Sequence, residues 1–115
     1  MPKLTVLITC KDEELHIRDC IESVRAVADE ILVADSGSRD ATLEIVRSMG
    51  NCRIVEREFI SYADFKNWAI PQCTHPWVLI IDADFAWTLR SGAAGVALAE
   101  AGEISVRERR WVECV

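Results

Sequence analysis

The chain has 115 residues, room for one compact domain built on a single core. Half of its residues are hydrophobic and 28% are charged, an ordinary make-up for a soluble globular protein. The net charge of −6 argues against a grip on nucleic acid or anionic lipid through bulk electrostatics, though not against a phosphorylated small molecule bound beside a divalent cation.

Leu4 to Cys10 is a short apolar run rich in β-branched residues and reads as a buried strand. Lys3 and the apolar residues after it faintly suggest a signal peptide. Lys11, Asp12, Glu13 and Glu14 follow at once with no small-residue cleavage site, so the segment is expected to belong to the fold. From Asp12 the period turns helical, with Ile17, Ile21, Val24 and Ala28 on one stripe and the acids at the favourable N-terminal end. Ile31 to Ala34 is a second strand, closed by the turn-forming Asp35-Ser36-Gly37-Ser38. A second helix is expected from about Asp40, with Thr42, Ile45, Val46 and Met49 on one face and Gly50 as its stop. Arg53 to Arg57 is a third, weaker strand. Ser61 and Asp64 resemble a capping box that opens a helix to Ile70, which Pro71 cannot continue. Trp77 to Ile81 is the most apolar strand, far too short to span a bilayer, and runs straight into Asp82-Ala83-Asp84.

This alternation predicts an α/β fold with a mainly parallel sheet and helices on both faces. Ligands bind such sheets beyond the carboxyl ends of the strands. The polar clusters Thr9 to Glu13, Asp35 to Ser38 and Asp82 to Asp84 all fall there. After Asp84 the texture changes. Residues 86–115 hold no Asp, Asn or Lys but six Ala, three Gly and four Arg. A weak helix is expected around Ala93 to Glu100, then Ile104 to Val115 with solvent-facing Arg107 to Arg110.

The cysteines (Cys10, Cys20, Cys52, Cys73 and Cys114) are odd in number and form no CxxC pair, and His16 and His75 are the only histidines. Buried thiols in a reducing cytosol are expected rather than a zinc site.

Asp82 and Asp84 are the sharpest chemical feature. Carboxylates one residue apart at the end of a buried strand project towards the same side. Such oxygen ligands suit Mg2+ or Mn2+, which would also hold substrate phosphates. A bare D-x-D is nonetheless common, and acids also end strands simply because solvent begins there. Asp35 could accept a hydrogen bond from a ribose or base, with Gly37 allowing close backbone approach, or could merely cap its turn. Glu13 has the same two readings. Lys66 and Asn67 could reach a phosphate or sugar, or simply be solvated.

Four segments in order carry a more specific signal: Thr9-Cys-Lys-Asp-Glu13, Asp35-Ser-Gly-Ser-Arg-Asp-Ala-Thr42, Phe65-Lys-Asn-Trp-Ala69 and Trp77-Val-Leu-Ile-Ile-Asp-Ala-Asp84. Together they resemble the family 2 glycosyltransferases of GT-A fold, and most of all the bacterial branch that adds sugars to lipopolysaccharide core. The likeness covers roughly residues 4–84. It implies a Rossmann-like nucleotide-sugar-binding region over residues 1–85, with residues 86–115 as a divergent tail and the fold truncated. It further implies that Glu13 and Asp35 contact the nucleoside and that Lys66 lies near the donor. Asp82 would sit by the ribose or a metal-bound water, and Asp84 would ligate the Mg2+ or Mn2+ that bridges the diphosphate. The donor would be a nucleotide sugar such as a UDP- or ADP-sugar, and the acceptor a glycan or lipid-linked glycan. The family's chemistry is inverting transfer. A cytoplasmic protein peripheral to the inner face of the membrane is implied, with no transmembrane segment and no nucleic-acid partner.

The chain departs from the pattern in several places. Asp12 stands for an asparagine, Arg39 for a threonine, and Phe85 where an acid usually follows D-A-D. No acceptor-binding segment or catalytic base is recognisable, and Glu100, Glu103, Glu108 and Glu113 have no motif around them. Two other readings follow. One is a non-catalytic remnant that binds nucleotide at most. The other is a haloacid-dehalogenase-type phosphotransferase, which normally has Thr or Val where this chain has Ala86. The tail's composition is also what GC-rich DNA gives when read out of frame. On that expectation no strong strand follows, and the fourth strand keeps an unpaired edge.

Overall fold

Continuous apolar character places three of the predicted strands at the centre of one sheet. In the computed structural model the described residues are 3–84, with two further strands at 104–107 and 110–113 described as backbone. The chain runs β1 (Leu4–Cys10), α1 (Ile17–Val24), β2 (Glu30–Asp35), α2 (Thr42–Met49), β3 (Cys52–Glu56), α3 (Tyr62–Ala69), a 3-10 turn (Ile70–Gln72), β4 (Trp77–Asp82), β5 (Ile104–Arg107) and β6 (Arg110–Glu113). Sheet order is β3-β2-β1-β4-β5-β6. The first four strands are mutually parallel, whereas β5 and β6 are antiparallel to their neighbours.

Strands buried on both faces need apolar side chains in both pleat directions, and β1, β2 and β4 supply them. Val6, Ile8, Val33 and Ile81 meet Ile17, Ile21, Val24 and Val46 on the face covered by α1 and α2. Leu7, Leu32, Val78 and Ile80 meet Phe65, Ala69 and Ile70 of α3 and its turn on the other. The edge strand β3 is only half-buried, which is why its sequence signal is weaker. Glu30 ties the N-terminal ends together. Its carboxylate accepts from the Thr5 hydroxyl (2.9 Å), Arg53 Nη1 (2.7 Å), the Thr74 amide (2.9 Å) and the Thr74 hydroxyl (2.6 Å).

The expected cap of α3 is present, with Ser61 Oγ accepting from the Asp64 amide at 3.1 Å. Gly50, at φ +74°, ends α2 in a conformation that glycine adopts without cost. Two expectations need correction. The first helix begins at Ile17 rather than Asp12, because Asp12 takes a positive φ of 55° and the amides of residues 12–14 are drawn into the neighbouring loop. Nor does β4 end the sheet. β5 pairs with it from Trp77↔Arg107 to Ile80↔Ile104, so its outer edge is covered. The helix expected at Ala93 to Glu100, together with Phe85, Glu100, Glu103, Glu108 and Cys114, lies outside the described residues, as does the side chain of Glu113. No helix of the described residues is long and apolar enough to cross a membrane.

Candidate functional site

The register of the central strands brings their carboxyl ends level. Thr9 lies opposite both Ala34 and Asp82, and Cys10 opposite Asp35. The three loops that leave these ends therefore start from one edge. Two of them are stitched together: the amides of Asp12, Glu13 and Glu14 donate to Ser38 Oγ (2.8 Å), Thr42 Oγ1 (2.9 Å) and Asp40 Oδ2 (3.2 Å). In return the amides of Arg39 and Ala41 donate to Asp12 Oδ1 (2.7 Å) and Glu14 Oε2 (3.1 Å). Residues 12–14 are thus held as a shaped loop, not as a first helical turn.

Past β4 the chain turns at Ala83 and Asp84. Ala83 is buried, with its amide donating to Thr9 O at 3.0 Å, while Asp82 and Asp84 stay exposed on either side of it. Thr9 Oγ1 donates to Asp82 Oδ1 at 2.8 Å and so orients that carboxylate. Asp82 and Asp84 border a cavity of about 360 Å3 together with Glu13, Lys11 and Lys66. Phe59, Tyr62 and Phe65 line it as well. A second, polar cavity adjoins it and shares Lys11 and Ser36.

The carboxylates act on their surroundings. Burial and then Asp84 raise the carboxyl of Glu13 above its ordinary range; His16 opposes this, and Asp82 adds to it. Beneath the floor, burial pushes the Cys20 thiol up to about 12, with Asp84, Asp82 and Glu13 contributing. Burial and the adjoining Asp35 raise Cys10 further still. Both thiols are therefore neutral and unsuited to act as nucleophiles. Of the other cysteines, Cys73 is buried and Cys52 half-buried.

Three anions around one cavity repel one another, and a cation between them relieves that repulsion. Among the described residues no three His, Cys, Asp or Glu side chains are grouped to cage a metal. Mg2+ and Mn2+ are commonly held by one or two carboxylates, with water and substrate phosphates completing the shell. The donor set here, Asp82 and Asp84 with lysines nearby, fits that shared arrangement and not an all-protein site.

Of the sequence-predicted residues, Glu13, Lys66, Asp82 and Asp84 come together at this cavity, while Asp35 does not line it. Asp35 is fully buried. Its Oδ2 accepts from the amides of Gly37 (2.9 Å) and Ser38 (2.8 Å), and its Oδ1 from Ser38 Oγ and from Cys10 Sγ (3.4 Å). It shapes the turn in which Gly37 takes φ +113°, and its neighbour Ser36 reaches the cavity instead. Sequence reasoning missed Phe59 and Tyr62. The available signal was a run of large hydrophobic side chains around the start of the helix that the capping box opens.

The model of glycosyl transferase family 2 matches residues 5–106. An uncharacterized glycosyltransferase of Rickettsia typhi is 36% identical over 84 residues, covering 73% of this chain and 28% of that protein. The lipopolysaccharide core biosynthesis glycosyltransferase LpsC of Rhizobium meliloti is 39% identical over 90 residues, covering 73% of this chain and 33% of that protein. Glucosyl-3-phosphoglycerate synthase from Mycobacterium tuberculosis, solved in complex with uridine diphosphate, superimposes with a TM-score of 0.66 at 25% identity, over 73% of this chain and 34% of that one. The same enzyme with Mn2+, uridine diphosphate and glucosyl-3-phosphoglycerate gives a TM-score of 0.64 at 24% identity, over 71% and 33%. The chain spans about a third of the length of the curated relatives it matches, 28% and 33% of these two.

Proposed function

The chain belongs to glycosyl transferase family 2 and has the α/β architecture of the nucleotide-sugar-binding part of the GT-A fold, and from that premise we propose that its strand-end cavity binds a nucleoside diphosphate sugar together with Mg2+ or Mn2+. The observation that carries this reading is the pair Asp82 and Asp84, exposed before and after a buried Ala83 and both at the cavity's edge. Asp84 ligates the cation. Asp82, oriented by Thr9, holds a cation-bound water or a ribose hydroxyl. Lys66 and Lys11 face the diphosphate, and Glu13 borders the nucleoside. Asp35 acts on the nucleoside through the turn it shapes, by presenting Ser36 and Gly37. The cation would stabilise charge developing on the leaving diphosphate.

The reading extends to inverting transfer onto a glycan or lipid-linked acceptor in cell-envelope or lipopolysaccharide synthesis, at the cytoplasmic face of the membrane. The likeness to LpsC supports that acceptor class. Calorimetric titration of UDP and ADP, with Mn2+ or with EDTA, tests the donor site. Loss of a metal ligand in Asp84→Ala should weaken nucleotide binding by at least about tenfold, ~1.4 kcal/mol. Equal binding by wild type and variant, with and without EDTA, refutes the site. A parallel assay of sugar transfer separates an enzyme from a chain that binds nucleotide without turnover.

A further inference from the structure

Three of the exposed large hydrophobic side chains among the described residues fall in one stretch: Phe59 (41% exposed), Ile60 (70%) and Tyr62 (73%). Scattered exposed apolar residues need no explanation, but these three precede and open α3 at the mouth of the site. Phe59 and Tyr62 meet edge to face with ring centroids 5.1 Å apart. Phe59 lies 6.3 Å from Phe65, which is buried in the core, and Phe65 lies 5.4 Å from Trp68. The Arg57 guanidinium covers the Trp68 ring at 5.6 Å and is held at 3.2 Å from the Asp64 carboxylate. The exposed pair is therefore the outer end of a ladder of rings anchored in the interior, not a loose loop tip.

Phe59 and Tyr62 line the same cavity as Asp82 and Asp84. Its carboxylates suit a cation with its phosphates, and its rings offer aromatic surface. A nucleoside diphosphate has the same two kinds of end. Resting on the reading above, which puts the diphosphate at Asp82 and Asp84, we infer that Phe59 and Tyr62 form a stacking platform for the nucleobase of the donor. Sheet order gives the direction. From β4 the cavity extends across β1 to Ser36 just past β2, and the aromatic pair enters from the start of α3. The nucleoside and the sugar leave a diphosphate in opposite senses, so the half that runs over β1 and β2 is the one that meets the rings. Stacking tolerates any base because every base has a π-face. The platform thus adds affinity without choosing the base, which falls to polar groups such as Ser36.

The test titrates the full chain with UDP, ADP and inorganic pyrophosphate, each with Mn2+, in wild type, Tyr62→Ala, Tyr62→Phe and Phe59→Leu. Tyr62 is largely exposed, so its replacement leaves the core intact. Tyr62→Ala should weaken UDP and ADP about tenfold while pyrophosphate stays within about twofold, and Tyr62→Phe should restore nucleotide binding. UDP and ADP affinities unchanged in both Tyr62→Ala and Phe59→Leu would overturn the platform and leave the donor site standing. So would a loss for pyrophosphate equal to that for UDP, since the rings would then merely support the charged groups. If wild type binds none of the three probes, the donor reading fails and the platform falls with it.

Discussion

Glu30 stands at the end of the sheet remote from the cavity, and replacing it with Gln removes its charge while keeping its size. Its own side chain is 13% exposed while its partner Arg53 is half-exposed, so solvent screens the pair in part. Burial alone would raise its pKa, but hydrogen bonds from Thr74, Arg53 and Thr5 outweigh that and bring it from the usual 4.5 to about 2. A difference of that size corresponds to ~3 kcal/mol of stability, and the half-exposed position of Arg53 argues for ~2–3 kcal/mol. Because the folded value lies below the unfolded one, this stabilisation is complete above the unfolded pKa. It is lost as pH falls from about 4.5 towards 2. Urea unfolding of wild type and Glu30→Gln reads the effect directly. The variant should be less stable by ~2–3 kcal/mol at neutral pH, and the gap should shrink to less than half by about pH 3. Other carboxylates titrate in both proteins and cancel in the difference. A gap that stays constant between those two pH values would refute the electrostatic account. Nucleotide affinity should not change, since the clamp lies at the opposite strand ends from Asp82.

Two further outcomes are expected. Asp35→Asn sets an amide against the Gly37 and Ser38 amides, and should cost about 1–3 kcal/mol in urea unfolding with or without nucleotide; a loss seen only in ligand-induced stabilisation would assign Asp35 to the pocket instead. Thr9→Val frees the Asp82 carboxylate, so Mn2+-dependent UDP binding should weaken several-fold while Thr9→Ser retains it; unchanged affinity in Thr9→Val would show that the hydrogen bond does not position Asp82.

Much of this protein is written in local pattern. The β-branched runs at Leu4, Ile31 and Trp77 specify strands because strands buried on both faces have no solvent side to mark with polar residues. Ser61 with Asp64, and Gly50, mark helix ends through hydrogen bonds and backbone angles that span only a few residues. Asp82 and Asp84 announce themselves as paired acids at the end of an apolar run, a pattern that spans only a few residues. What the sequence left open depends on partners far apart in the chain. Helical periodicity reads the acids at Asp12 to Glu14 as a first turn, yet their amides are claimed by Ser38, Asp40 and Thr42, which sit 26 to 29 positions away. Asp35 and Glu13 look alike as acids beyond strands. Only packing buries the one under its own turn and leaves the other beside the carboxylates. Phe59 precedes α3 and Tyr62 opens it, and only the path of α3 across the sheet sets their rings against the site. Glu30 gains its low pKa from Thr5, Arg53 and Thr74 on three different segments. Local propensity acts through neighbours in sequence, whereas a charged group's environment is a sum over everything near it in space, and that sum exists only once the sheet has formed.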